Sequence, residues 1–188
     1  MRKGTAAGLA AALGAIAGGV LVKKVWLEKY RKQKKELELA NTEKDLLYTW
    51  LLLEQKGVNP GEYFAAHGFQ TIGIMGMNRE GRRLYETLKD RKDVSAEYAV
   101  ELDNFSAVHE RMTVYRLGDD PLPEADCVVI CDISRVPEKR EALRKEFRNE
   151  IVTLTEALAW LIEKHQIRPW DGAIRGWPAK DGTEKGYT

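Results

Sequence analysis

The chain has 188 residues, 30 of them Lys or Arg and 29 Asp or Glu, for a formal net charge of +1. That length allows one ordinary domain with appendages. The balanced charge argues against general nucleic-acid binding, which needs a basic face to neutralise phosphates.

The first element is Gly4 to Val22, GTAAGLAAALGAIAGGVLV, which carries no charge. At about 1.5 Å per residue, a helix of that length roughly matches a bilayer core of about 30 Å. Trp26 and Tyr30 follow, where aromatic rings suit the membrane interface. With them comes a basic run, Lys23, Lys24, Lys29, Arg31, Lys32, Lys34 and Lys35, against the single acid Glu28. The positive-inside rule then predicts a single-pass anchor in the cell membrane with the C-terminal side in the cytoplasm. Three other readings compete. Ala15 to Gly18, AIAG, resembles a signal-peptide cleavage site, but lysines so soon afterwards oppose translocation. A surface-lying helix lacks the one-sided charged face such helices need, and a disordered lead is the fourth reading. Ala10, Gly14 and Gly18 form a small-residue stripe of the kind that lets two helices approach, although any Ala/Gly-rich helix shows one.

From Val25 to Leu53 there is neither proline nor glycine, so the stretch reads as helix. A break is expected near Asn41–Thr42, where Thr42 and Asp45 resemble a capping box. The first half is a charged stalk whose basic residues can also meet anionic headgroups. The second, DLLYTWLLLEQKG, is apolar enough to need burial, against the next domain or against a twin. His67, closing the short helix before Gly68, reads as a helix cap.

After Gly68 short apolar runs alternate with charged helical stretches. FQTIGIMG, AEYAVELD, MTVYRL, DCVVICDI and EIVTL read as five strands; NREGRRLYETLKDR, VPEKREALRKEF and TEALAWLIEKHQ read as helices. This alternation implies an α/β fold, a minimal doubly wound parallel five-stranded sheet of order 3-2-1-4-5. The connections after the second and third strands leave little room for helices. Cys127 and Cys131 share a face of one strand at roughly 13 Å, too far for a disulfide, and no further ligands cluster near them. The expected organisation is an anchor over residues 1–24, helices over 25–67, the sheet domain over 68–166 and a flexible tail over 167–188. The tail holds Trp170 and Trp177, candidates for docking on the domain or on a partner.

Gly68 to Leu158, with its lead LLLEQKGVNPGEYFAAHGFQTIGIMGMNREGRRLYETLK, resembles the small Rossmann-type domain of bacterial cell-surface polysaccharide biosynthesis proteins. The resemblance implies an NAD(P)- or nucleotide-sugar-binding module, attached to glycosyltransferases or modifying enzymes.

Gly76-Met77-Asn78-Arg79-Glu80-Gly81 nearly spells the dinucleotide fingerprint G-x-G-x-x-G. Gly76 serves the tight turn and Gly81 the close packing of helix on sheet. Asn78 stands where bare backbone normally meets the pyrophosphate. It tolerates the turn and can cap the helix, at the cost of phosphate space. Glu80 adds negative charge there, while Arg79, Arg82 and Arg83 are placed to offset it. Glu101 and Asp103 end the second strand near the ribose-binding position, and Asp103, nearer the edge, is the expected partner. A simple turn cap explains it equally well. Asp132 and Ser134 end the fourth strand at the expected crevice. Tyr85 and Lys89 have the Tyr-x-x-x-Lys spacing of short-chain dehydrogenases but sit in the wrong helix. His109 and His165 are isolated.

The expected binding residues are therefore Gly76, Asn78, Arg79, Gly81, Asp103 and Asp132. Three functions follow: a membrane-anchored accessory module for a nucleotide or nucleotide sugar, a ligand-free scaffold for another membrane protein, and a free-standing oxidoreductase. The last lacks any substrate domain after the fifth strand. A homodimer through the anchor or stalk, or a glycosyltransferase partner, fits the first two.

Overall fold

A computed structural model describes residues 4–102, 112–119 and 121–167, with side chains from residue 26 onward. The chain divides into two compact units, Met1–Asn41 and Thr42–Thr188. Helix α1 runs Gly4–Gln55 without the expected break at Asn41–Thr42. With no proline or glycine nearby, nothing forces the backbone out of its ladder there, and a polar Thr is tolerated within a helix.

In the first unit, the described side chains of α1 are solvated. Trp26 and Tyr30 are exposed and stacked at 5.7 Å. Lys32–Glu36 and Lys34–Glu38 pair one turn apart at 3.9 and 3.7 Å. Such exposed pairs contribute only a few tenths of a kcal/mol each, about 0.3–0.5. Among the described residues no helix is long and apolar enough to cross a membrane. The uncharged segment Gly4–Val22 lies outside the residues whose side chains are described.

In the second unit, the last turns of α1 bury Leu46, Trp50 and Leu53. The apolar half of this helix thus packs on its own domain. It ends at Gly57, φ +73, where Val58 N–H reaches Leu53 O at 2.9 Å and Gly57 N–H reaches Glu54 O at 2.9 Å. This paired closure needs a left-handed residue that glycine supplies without strain. Helix α2 (Gly61–Ala66) follows, then β1 (Thr71–Met75), α3 (Arg79–Leu88), β2 (Ser95–Glu101), β3 (Thr113–Arg116), β4 (Cys127–Ile130), α4 (Val136–Glu146), β5 (Glu150–Thr153) and α5 (Leu154–Lys164).

The five strands form one parallel sheet in the order β3-β2-β1-β4-β5, as the alternating pattern predicts. Strand alternation sorts its side chains onto two cores. Ile72, Ile74, Ala99, Cys127, Val129 and Val152 meet α3, α5, α2 and the end of α1. Met75, Tyr98, Val100, Val128, Ile130 and Ile151 meet Leu143 of α4 and Phe147. Helices therefore cover both faces, which is why β4 is apolar without interruption. Among the described residues no helix separates β2 from β3 or β3 from β4. Both cysteines are free and buried, and burial pushes the Cys127 thiol up to about 12.

Candidate functional site

The strands are parallel, so all five C-terminal ends lie along one edge. Neighbours β1 and β4 send their chains to opposite faces, through α3 and α4 respectively. That divergence opens a crevice, the usual ligand position in such sheets. A cavity of about 210 Å³ lies there, lined by Gly76, Glu101, Asp132, Ser134, Arg135 and Lys139 together with Met75 and Leu102.

The glycine turn forms one wall. Gly76 adopts φ +92, and a Cβ on it would lie 2.9 Å from Asp132 Cβ. A Cβ on Gly81 would lie 2.1 Å from Gly76 O, so α3 can approach the turn only because Gly81 is bare. Asn78 is the N-cap of α3, its Oδ1 accepting from Gly81 N–H at 3.0 Å. The side chain thus stands in for the anion that a glycine would have admitted.

The arginines expected to offset this are turned elsewhere. Arg79 pairs with the buried Glu80 at 3.0 Å and lies 3.9 Å from Glu43. Arg82 Nε donates to Met77 O at 3.2 Å. Arg83 holds Glu54 at 2.6 Å and lies over the Trp50 ring. None of the three lines the cavity.

Glu101, at the end of β2, faces this crevice. Its Oε1 accepts from Met77 N–H at 2.8 Å, and among the described residues Oε2 has no partner. Burial raises its pKa above the ordinary carboxylate range and Asp132 pushes the same way, against the Met77 bond and Lys139. Asp103, the expected ribose partner, lies outside the described residues.

The β4–α4 turn forms the opposite wall. Asp132 Oδ1 accepts from Ser134 N–H at 2.7 Å, and Oδ2 accepts from the Lys139 ammonium. Burial works to raise the Asp132 carboxyl, but these two partners outweigh it and hold the carboxyl low. Lys139 is 7% exposed and also donates to Ser134 O at 2.5 Å and Ser134 Oγ at 3.2 Å. Three donors thus meet three acceptors, and the ammonium pins the turn. Between them, Arg135 adopts φ 52, ψ 33, a left-handed conformation uncommon for a long side chain.

The structure therefore places Gly76 and Asp132 on the cavity, uses Asn78 and Gly81 to shape the turn, and directs Arg79 away. Arg135 and Lys139 were not anticipated. The signal for Lys139 is its place one turn before Leu143, a charged residue on the buried stripe of α4. The remaining reactive side chains serve packing. His67 Nδ1 donates to Tyr63 O, 2.8 Å away, within a cluster of Tyr63, Phe69 and Trp160 rings. His165 and Lys164 hold Glu62, joining α5 to α2. His109, Trp170 and Trp177 lie outside the described residues. Among the described residues no group of His, Cys, Asp or Glu is placed to hold a metal ion. Comparison with protein families, with curated proteins and with solved structures finds no match.

Proposed function

We propose that the protein is a membrane-anchored, cytoplasmic Rossmann-like accessory module that holds a nucleotide or nucleotide sugar in bacterial cell-surface polysaccharide biosynthesis. NAD(P) stands among the candidate ligands. Glu101 carries this reading. It lies about twenty residues beyond Gly81, where such folds place the carboxylate that takes a ribose diol, and one of its oxygens at the cavity has no partner among the described residues. The uncharged segment Gly4–Val22 and the basic run after it support the anchor and its orientation.

The experiment is thermal unfolding of the full chain in mild detergent with NAD, NADP and a panel of UDP- and GDP-sugars. A ligand at about one hundred times its dissociation constant adds roughly 2.7 kcal/mol of stability. The expected result is an upward shift with one of them that Glu101→Gln abolishes while remaining folded. A flat panel with folded protein overturns the reading.

A second reading has its own support. Asn78 already occupies the end of α3, and every donor of Lys139 is used, so the glycine turn and the β4–α4 turn each hold their shape without a ligand. The chain would then be a scaffold for a glycosyltransferase or another assembly protein, paired with itself or its partner through the anchor or the exposed Trp26, Tyr30 and Leu37 of the stalk.

A further inference from the structure

We infer that the crevice holds its ligand by sugar hydroxyls, through the Glu101 carboxylate, and that the ligand's phosphates stay outside it and add no affinity. The site thus takes nucleosides and nucleotides alike, reading ribose and not phosphate. This rests on the nucleotide-binding reading above and names the part of the nucleotide that is recognised.

Donors around the cavity are committed within the protein. Gly76 N–H is bonded to Val100 O at 3.1 Å, and Ser134 N–H to Asp132 at 2.7 Å. The Lys139 ammonium meets Asp132, Ser134 O and Ser134 Oγ. Arg135 is held by Glu138 and is no free cation. Pyrophosphate binding at a fingerprint turn uses the amides at the start of the helix. Here Glu101 takes the Met77 amide, Asn78 takes the Gly81 amide, and Glu80 sits buried in the first turn of α3. The three arginines of this helix are spent on Glu80, Met77 O and Glu54.

What the cavity offers instead is an acceptor. Glu101 Oε2 has no partner among the described residues, and an ionised carboxylate can only accept. Lys139 offsets Asp132 and Glu138 offsets Arg135, so Glu101 is the charge left over. A phosphate is itself an anionic acceptor. Placed against Glu101, it meets a like charge with no proton to share between them. Hydroxyls are the complement, because each brings a donor, and a diol brings two to one carboxylate. The bond from Met77 N–H at 2.8 Å fixes that carboxylate before any ligand arrives, which lowers the ordering cost of binding. Met75 and Leu102 add an apolar part to the lining, suited to the carbon face of a sugar ring. Size agrees. About 210 Å³ is below the roughly 300–1,000 Å³ of sites that enclose a drug-sized ligand, so the crevice has room for a sugar and not for a whole dinucleotide.

The test is calorimetric titration of the full chain, in mild detergent, with adenosine, uridine and guanosine, with AMP, UMP and GMP, and with the deoxy form of each nucleoside. At least one nucleoside should bind, and its monophosphate should lie within about threefold of it. Its deoxy form should bind about tenfold or more weaker, as loss of a hydrogen bond to a charged group implies. Raising salt from about 0.05 M to about 0.5 M should leave the monophosphate's affinity within about twofold, since no ion contact is there to be screened. Glu101→Gln should weaken nucleoside and monophosphate by the same factor and close the gap to the deoxy form. The variant keeps an oxygen for Met77 N–H at a half-buried position, so it is expected to fold. A monophosphate more than about threefold tighter than its nucleoside, or a deoxy form bound as tightly, overturns this inference and leaves the nucleotide reading standing. So does binding of none of these while NAD or a nucleotide sugar still raises the unfolding midpoint. No binding and no shift in the midpoint of folded protein overturns both.

Discussion

The two ends of the sheet treat a carboxylate in opposite ways. At the N-terminal end, Asp126 Oδ2 accepts from Gln70 N–H and Thr71 N–H, both at 2.7 Å, and from Thr71 Oγ1 at 3.0 Å. The Thr71 and Gln70 backbone bonds hold its carboxyl below the ordinary range. At the C-terminal end, Glu101 has one such bond and burial raises its pKa. The first carboxylate takes three bonds at one oxygen and fastens the start of β1 to the start of β4. The second is half-buried and bonded at one oxygen, with the other left open to the crevice. The two ends thus differ in how many donors hold the acid and in the direction of its pKa.

The largest effect should come from breaking the geometry of the C-terminal end. Gly81→Ala puts a methyl 2.1 Å from Gly76 O, and the obstacle is backbone that cannot swing aside. The expected loss is roughly 3 kcal/mol, the upper range for overpacking. For a unit of this size, that lowers the midpoint of thermal unfolding by about 10 °C. Gly57→Ala, with nothing within 4 Å of the added Cβ, carries only the strain of its φ of +73 and should cost less. Equal losses at the two glycines would mean that close packing at the turn is not what Gly81 supplies.

A pH series separates the two acids by sign. Asp126 has a depressed folded pKa, so its contribution is present above the unfolded value of about 3.9 and is lost as pH falls through the folded value. Asp126→Asn should therefore lie below wild type in stability at neutral pH and converge with it in acid. Glu101 has a raised folded pKa. The folded state then binds the extra proton between the unfolded value of about 4.3 and the folded one, so stability falls as pH rises through that window. Glu101→Gln should lie above wild type at neutral pH and converge with it in acid. Urea unfolding from about pH 3 to about pH 8 measures both. Differences of the same sign would dissolve the contrast between the ends.

Much of this fold was legible. DCVVICDI is apolar on both faces because helices cover both faces of β4, and the order 3-2-1-4-5 follows from strands alternating with helices. Gly76, Gly81 and the capping role of Asn78 were legible because each is a local backbone requirement. Contacts distant in sequence were not. Arg83 looks available for phosphate until Glu54, far upstream in α1, takes it at 2.6 Å. Thr42 looks like a helix start because a capping pattern is local, whereas the rest of α1 simply continues through it. Lys139 was passed over because a lone lysine in VPEKREALRKEF reads as solvated, and only the fold brings Asp132 and Ser134 to it.

The smallest expected effect sharpens the contrast. Tyr98, three residues before Glu101 on β2, is 1% exposed, and its hydroxyl has no hydrogen-bond partner among the described residues. Burial raises that hydroxyl's pKa to about 12. It is a polar group desolvated without compensation, and it lies in the core on the α4 side, its ring filling the space over Gly73, where a Cβ would come within 2.7 Å. No cavity meets it. Removing the hydroxyl removes a desolvation penalty and keeps the ring, so Tyr98→Phe should be neutral or stabilising by about 0–1 kcal/mol. Ligand affinity should be untouched. A loss of more than about 1 kcal/mol would show that the hydroxyl is bonded after all. The expected result separates Tyr98, whose unbonded hydroxyl is sealed in the core, from Glu101, which is half-buried and lines the crevice.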